Sequence, residues 1–131
     1  MDSKLFNAIK GDLRKRSRWL PVNREVIKDS IVEVELPNGK IKKHYKCAAC
    51  GYLAPRQKDI DIDHIEPVIP VTGFKSWDLL IERLMLAKKS DLQVLCKPCH
   101  KDKTKKETKA RAAHKRAQKL KEVVSGLSES K

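Results

Sequence analysis

The chain has 131 residues, of which 30 are Lys or Arg and 17 are Asp or Glu, so its net charge is +13. That length supports one modest domain, and a core this small is commonly braced by a metal or by disulfides. The charge points to a polyanionic partner, and the absence of any apolar run near the roughly 18–20 residues that cross a bilayer argues against a membrane role.

The N-terminus, Met1-Asp2-Ser3-Lys4-Leu5-Phe6, has no hydrophobic signal region, so the chain reads as cytoplasmic, where thiols stay reduced. Four cysteines in two C-x-x-C pairs then argue for metal and against disulfides.

In chain order, Leu5, Phe6, Ile9 and Leu13 recur at helical spacing and predict a basic amphipathic helix from residue 4 to about residue 18. Lys10, Arg14, Lys15, Arg16 and Arg18 decorate its other faces, and a turn follows at Leu20-Pro21. A second short helix is expected to start at Asn23 as cap and to carry Val26 and Ile27 inward. Residues 31–36 alternate as a half-buried strand, and Pro37-Asn38-Gly39-Lys40 is a turn signal that returns Ile41 to Lys46 as its partner. Lys58 to Ile62 is a further strand, stopped by Pro67 and Pro70. Ser76 can cap a helix with Trp77, Leu80, Ile81 and Leu84 on a buried face, which also assigns Phe74 and Trp77 to core packing. Leu92 to Leu95 is a short apolar strand. A helix from about Lys101 to Val123 follows, with ten Lys or Arg against Asp102 and Glu107 up to Lys121. Ser125 to Lys131 are expected to be disordered.

Cys47, Cys50, Cys96 and Cys99 supply four soft ligands, the set of a closed tetrahedral zinc site. Gly51 lets the backbone turn tightly after the first pair. With four protein ligands such an ion has no open position and is structural, one zinc per chain. The run Cys96-Lys97-Pro98-Cys99-His100 also matches the haem-attachment sequence C-x-x-C-H, but that reading leaves Cys47 and Cys50 unexplained and requires export.

Asp63 and His64 pair a hard oxygen ligand for Mg²⁺ with an imidazole able to take a proton from water. A regular strand sends neighbouring side chains to opposite faces, so their cooperation requires a bend there. For an isolated Asp-His dipeptide the bland reading, a strand end bonding backbone, would prevail.

The company the pair keeps changes that balance. Asp-His-Ile-x-Pro from residue 63, Gly-Phe-x-x-Trp-Asp-x-x-Ile-x-Arg-Leu from residue 73, and Asp-Leu-Gln-Val-Leu-Cys-x-x-Cys-His-x-x-Lys-Thr from residue 91 together resemble the HNH endonuclease family. The likeness is to its small phage-type members with a zinc-knuckle brace, and it covers about Tyr45 to Glu107. It implies an α+β fold whose core is a ββα-metal hairpin and helix, with strands Asp59–His64 and Leu92–Leu95 and the helix beginning beside Cys99-His100. Residues 1–44 would be a basic N-terminal helix and hairpin, 45–107 the nuclease core, and 108–131 a basic C-terminal helix and tail. The resemblance implies a general base at His64 and a catalytic divalent ion, Mg²⁺ or Mn²⁺, on Asp63 and His100. The family's middle Asn falls on Asp91, which is expected in the catalytic site as a third ligand of that ion through its carboxylate oxygen, although it cannot donate as an amide does. Capping of a loop is the bland reading of Asp91.

The function so implied is metal-dependent hydrolysis of DNA phosphodiesters, as nicks or double-strand breaks with 5′-phosphate and 3′-hydroxyl ends. Phage homing or accessory nucleases of a bacterial host are among such proteins. Backbone contacts to duplex DNA are expected from Arg14, Arg16, Arg18, Lys101, Lys103, Lys105, Lys106, Lys109, Arg111, Lys115 and Arg116. No membrane partner is expected, and a monomer is favoured. The alternatives are a non-catalytic zinc-braced nucleic-acid-binding module and a protein that binds an acidic partner.

Overall fold

A computed structural model describes the backbone of residues 1–129 and the side chains through residue 126. The order of elements is α1 (Ser3–Ser17), α2 (Pro21–Asp29), β1 (Ile31–Glu35), β2 (Ile41–Lys46), β3 (Leu53–Ala54), β4 (Ile60–His64), α3 (Trp77–Met85), β5 (Leu92–Cys96) and α4 (Lys97–Glu129). The class is therefore α+β, with four helices, two small antiparallel sheets and a long C-terminal helix, as the sequence predicts at that level.

Asp2 caps α1 by accepting the Lys4 N–H at 2.9 Å. Leu5, on the expected apolar face, is instead about half exposed. The second helix begins at Pro21 rather than Asn23. Proline is pre-set for the first helical position because its missing N–H would be unpartnered there. Asn23 lies inside the helix, and its amide donates to the Ser17 carbonyl at 2.7 Å, which ties α2 back onto α1. Val26 enters the core as expected.

The hairpin forms at the predicted turn, with Gly39 at φ +82° and Glu35 opposite Ile41. It is less buried than its alternation suggested, since Val32 and Ile41 are exposed. The sheet it belongs to has a third strand that the sequence did not announce. This is β3, two residues long, with Ala54 opposite Tyr45 and Leu53 opposite Lys46. Ala54 is fully buried.

The second sheet is β4 paired antiparallel with β5, with Ile60 opposite Cys96, Ile62 opposite Val94 and His64 opposite Leu92. A short 3₁₀ turn, Gln57–Asp59, takes up the residues expected to open β4. Period-2 alternation divides its side chains. Ile60 and Ile62 pack with Val26, Ala54, Leu92 and Val94, while Asp61 and Asp63 face α4.

Ser76 caps α3 as predicted, accepting from the Leu79 N–H at 3.1 Å. Leu80 and Leu84 are buried with Val68, but Ile81 is exposed. Phe6, Phe74 and Trp77 form an aromatic trio with ring centroids 4.9–5.3 Å apart, which joins α1 to α3; Trp77 packs against the α3 cluster as expected, whereas Phe74, expected in the core, is exposed at its edge. The last helix starts earlier than Lys101 because Pro98 suits a first turn and the Cys96 sulfur accepts the Cys99 backbone N–H. It also runs further. The stretch from Ser125 expected to be disordered is helical through Glu129, since Gly126 alone costs only about 1 kcal/mol and no proline intervenes. Ser130 and Lys131, the rest of that expected tail, lie outside the described residues.

Leu80 is 1% exposed in the α3 cluster. Leu80→Ala is expected to lower unfolding free energy by about 2–5 kcal/mol in urea titration, with the slope unchanged.

Candidate functional site

Two C-x-x-C units arrive at one place by different routes. Cys47 and Cys50 sit in the tight loop between β2 and β3. Gly51 takes φ +77° there, and the Cys47 N–H donates to the Tyr52 carbonyl at 2.9 Å. Cys96 ends β5 and Cys99 lies in the first turn of α4. The Ala48 N–H, donating to the Val94 carbonyl at 2.8 Å, stitches the loop to β5. The four sulfurs lie within 4.8 Å of one another. Tetrahedral bonds of about 2.3 Å would set sulfurs about 3.8 Å apart, and Cys50 and Cys96 are separated by 3.7 Å. The cluster is thus shaped to hold a structural metal such as zinc.

Its electrostatics favour a cation. Burial pushes the Cys47 thiol up, but the backbone N–H groups of Cys96, Cys50 and Ala49 outweigh it, and the pKa falls to about 6. The neighbouring Cys96 and Cys50 thiols, with smaller contributions from burial and Cys47, push Cys99 up to about 12. Burial also raises Cys96. Four thiolates cannot crowd together without a positive ion between them.

The second grouping lies where α4 crosses β4. His100 Nδ1 is 3.3 Å from Asp61 Oδ2, and its Nε2 is 3.9 Å from Asp63 Oδ1. Asp63 is only 8% exposed, so its charge needs partners. Gln93, directly across the ladder, donates to its Oδ2 at 2.9 Å, and Lys103 Nζ lies 3.1 Å from the same oxygen. Lys103 also pairs with Glu107 and donates to the His64 carbonyl at 3.0 Å. Burial disfavours its charge, but Glu107 and Asp63 hold its pKa above the ordinary lysine value.

Asp63 Oδ2 is thus taken by Gln93 and Lys103, while its Oδ1 is the oxygen nearest His100. Asp61 lies beside the Nδ1 edge of the imidazole and Asp63 beside its Nε2 edge. The separation of Asp63 Oδ1 and His100 Nε2, 3.9 Å, lies between the roughly 3.0 Å of neighbouring and the roughly 4.2 Å of opposite positions on an octahedral ion with bonds of about 2.1 Å. Among the described residues only the cysteines bring three or more ligand atoms together, so this is a two-ligand arrangement.

His64 ends β4, still paired with Leu92. The strand does not bend to bring it beside the Asp63 carboxylate. Both residues instead line a cleft of about 650 Å³, together with His100, Arg14, Arg18 and Arg111. Burial pushes the His64 pKa below the ordinary imidazole value, with Arg14 and Lys103 acting the same way against Asp63 and Asp91. The ring is thus neutral near pH 7.

Asp91 is not brought to the pair. Its Oδ2 accepts the Lys88 N–H at 2.9 Å, and its carbonyl accepts the Ile65 N–H at 3.0 Å. The basic residues divide. Lys103 and Arg111 are partly buried and engaged with the protein, whereas Arg14, Arg16, Arg18, Lys101, Lys105, Lys106, Lys109, Lys115 and Arg116 are exposed. Sequence reasoning missed Asp61, Gln93 and Glu107. The alternation Asp61-Ile62-Asp63 and the i, i+4 spacing of Lys103 and Glu107 were the signals available.

No family model, curated protein or solved structure compared with the chain matches it.

Stripping bound metal with a chelator is expected to lower the thermal midpoint by on the order of 10 °C or more, and zinc should restore it. Cys96→Ser should abolish that response in melts recorded with and without zinc.

Proposed function

We propose that the chain is a metal-dependent DNA endonuclease of HNH type, with a structural zinc on Cys47, Cys50, Cys96 and Cys99. The observation that carries this reading is the approach of Asp63 Oδ1 to His100 Nε2 at 3.9 Å, with Gln93 and Lys103 on the other oxygen of Asp63. The residues fit a divalent ion such as Mg²⁺ or Mn²⁺, which when bound supplies positive charge to a scissile phosphate. His64, neutral and in the same cleft, takes the proton from the attacking water. Asp61 orients His100, and Gln93 and Lys103 hold Asp63. Asp91 acts by holding the loop that pins Ile65, so no ligand role for it is carried forward. Exposed cations along α1 and α4 meet the DNA backbone. The sequence motifs around Asp63 and from Asp91 to Thr104 support the same assignment.

One observation favours a second reading, a zinc-braced binding module without activity. Lys103 already supplies a cation to Asp63, so the carboxylate is stable there with no divalent ion.

A plasmid assay separates the two. Supercoiled DNA should be nicked or cut with Mg²⁺ and spared when Mg²⁺ is left out, with the structural zinc in place throughout. His64→Ala should lower the rate about 10²–10⁴-fold while zinc content stays at one per chain. Undiminished nicking by that variant would remove His64 from the mechanism, and an inactive wild type that still shifts duplex DNA would favour the binding module. Asp61→Asn is expected to cost about 10–100-fold at low Mg²⁺ and to recover part of it as Mg²⁺ is raised.

A further inference from the structure

A second cleft, of about 580 Å³, lies between α1 and the middle of α4 and is completed by the segment from Ile69 to Gly73. Its charged lining is wholly cationic, with Lys10 and Arg14 from α1 facing Arg111 and Lys115 from α4. A charge run on one helix is commonly a solvated face. Here cations from two helices at opposite ends of the sequence converge on one concavity, while Lys105 and Lys109 of the same helix do not line it. Arg14 and Arg111 line the larger cleft as well, so the two hollows are continuous through a pair of guanidinium groups. Arg111 is held in place by donating to the Ile69 carbonyl at 2.6 Å, which removes much of the ordering cost of binding.

We propose that this second cleft is the track for the phosphodiester backbone of duplex DNA on one side of the bond that is cut. It rests on the nuclease reading for what occupies the larger cleft. A repeating anion fits a continuous groove of spaced cations better than a single small anion does, and guanidinium forks match phosphate oxygens. From His100 to Lys115 the helix advances about 22 Å at 1.5 Å per residue, or roughly six base pairs at 3.4 Å each.

The test is a fluorescence-anisotropy titration of a labelled mixed-sequence duplex over a salt series, with the structural zinc left in place and no Mg²⁺ or Mn²⁺ added, so that binding is read without cleavage. Three proteins are compared, namely wild type, Lys10→Ala/Lys115→Ala, and a control of equal charge, Lys42→Ala/Lys43→Ala on β2. The cleft pair should reduce the log–log salt slope by about 1.8 and weaken binding roughly tenfold or more, the loss expected for two phosphate contacts, and the control pair by clearly less. Equal losses from both pairs, or none from the cleft pair, would overturn the track, as would a wild type that does not bind the duplex. Plasmid cleavage by the same wild-type preparation keeps the two ideas apart. Cleavage with cleft-independent binding refutes the track alone, and cleft-dependent binding without cleavage refutes the nuclease reading alone.

Discussion

Four sulfur atoms meet from parts of the chain that share little else. Cys50 and Cys96 are 46 positions apart, one in the turn after β2 and the other at the end of β5. Each sheet is too small to bury a core alone, and a short hairpin is marginal in water. An ion held by all four would fix the three-stranded sheet against β5 and, because Cys99 lies in its first turn, would also aim α4. That aim matters downstream. His100, Lys103 and Glu107 recur at three- and four-residue steps and so share one stripe of α4. A rotation at the helix start would carry all three away from β4.

β4 is where the core and the polar site meet. Its isoleucines close one apolar cluster and its aspartates face the helix. A carboxylate as enclosed as Asp63 is tolerable only with donors on it, and Gln93 and Lys103 provide them. Both crowd Oδ2, which leaves the other oxygen turned to His100. The same contacts that make the buried charge stable thus create the asymmetry on which the proposed metal chemistry depends.

Charge is organised on a larger scale by the same helix. α4 passes the acidic face of β4 near its start and meets α1 further along. Carboxylates are gathered at the first crossing and cations at the second.

Much of this was legible from residue order alone. Hydrophobic spacing announced α1, α3 and the β1–β2 hairpin, since amphipathic periods and Pro-Asn-Gly turns are local properties. The four cysteines named a metal cluster because ligand type and C-x-x-C spacing are local too. Asp63 and His100 were also singled out, and they do come together. Tertiary structure alone decided the partnerships. Which oxygen of Asp63 stays open, that Asp61 stands beside His100, that Asp91 is committed to a loop, and that Lys10 faces Lys115 across a cleft all depend on strand register and helix direction. Those follow from packing between segments far apart in the chain, and no local pattern encodes them.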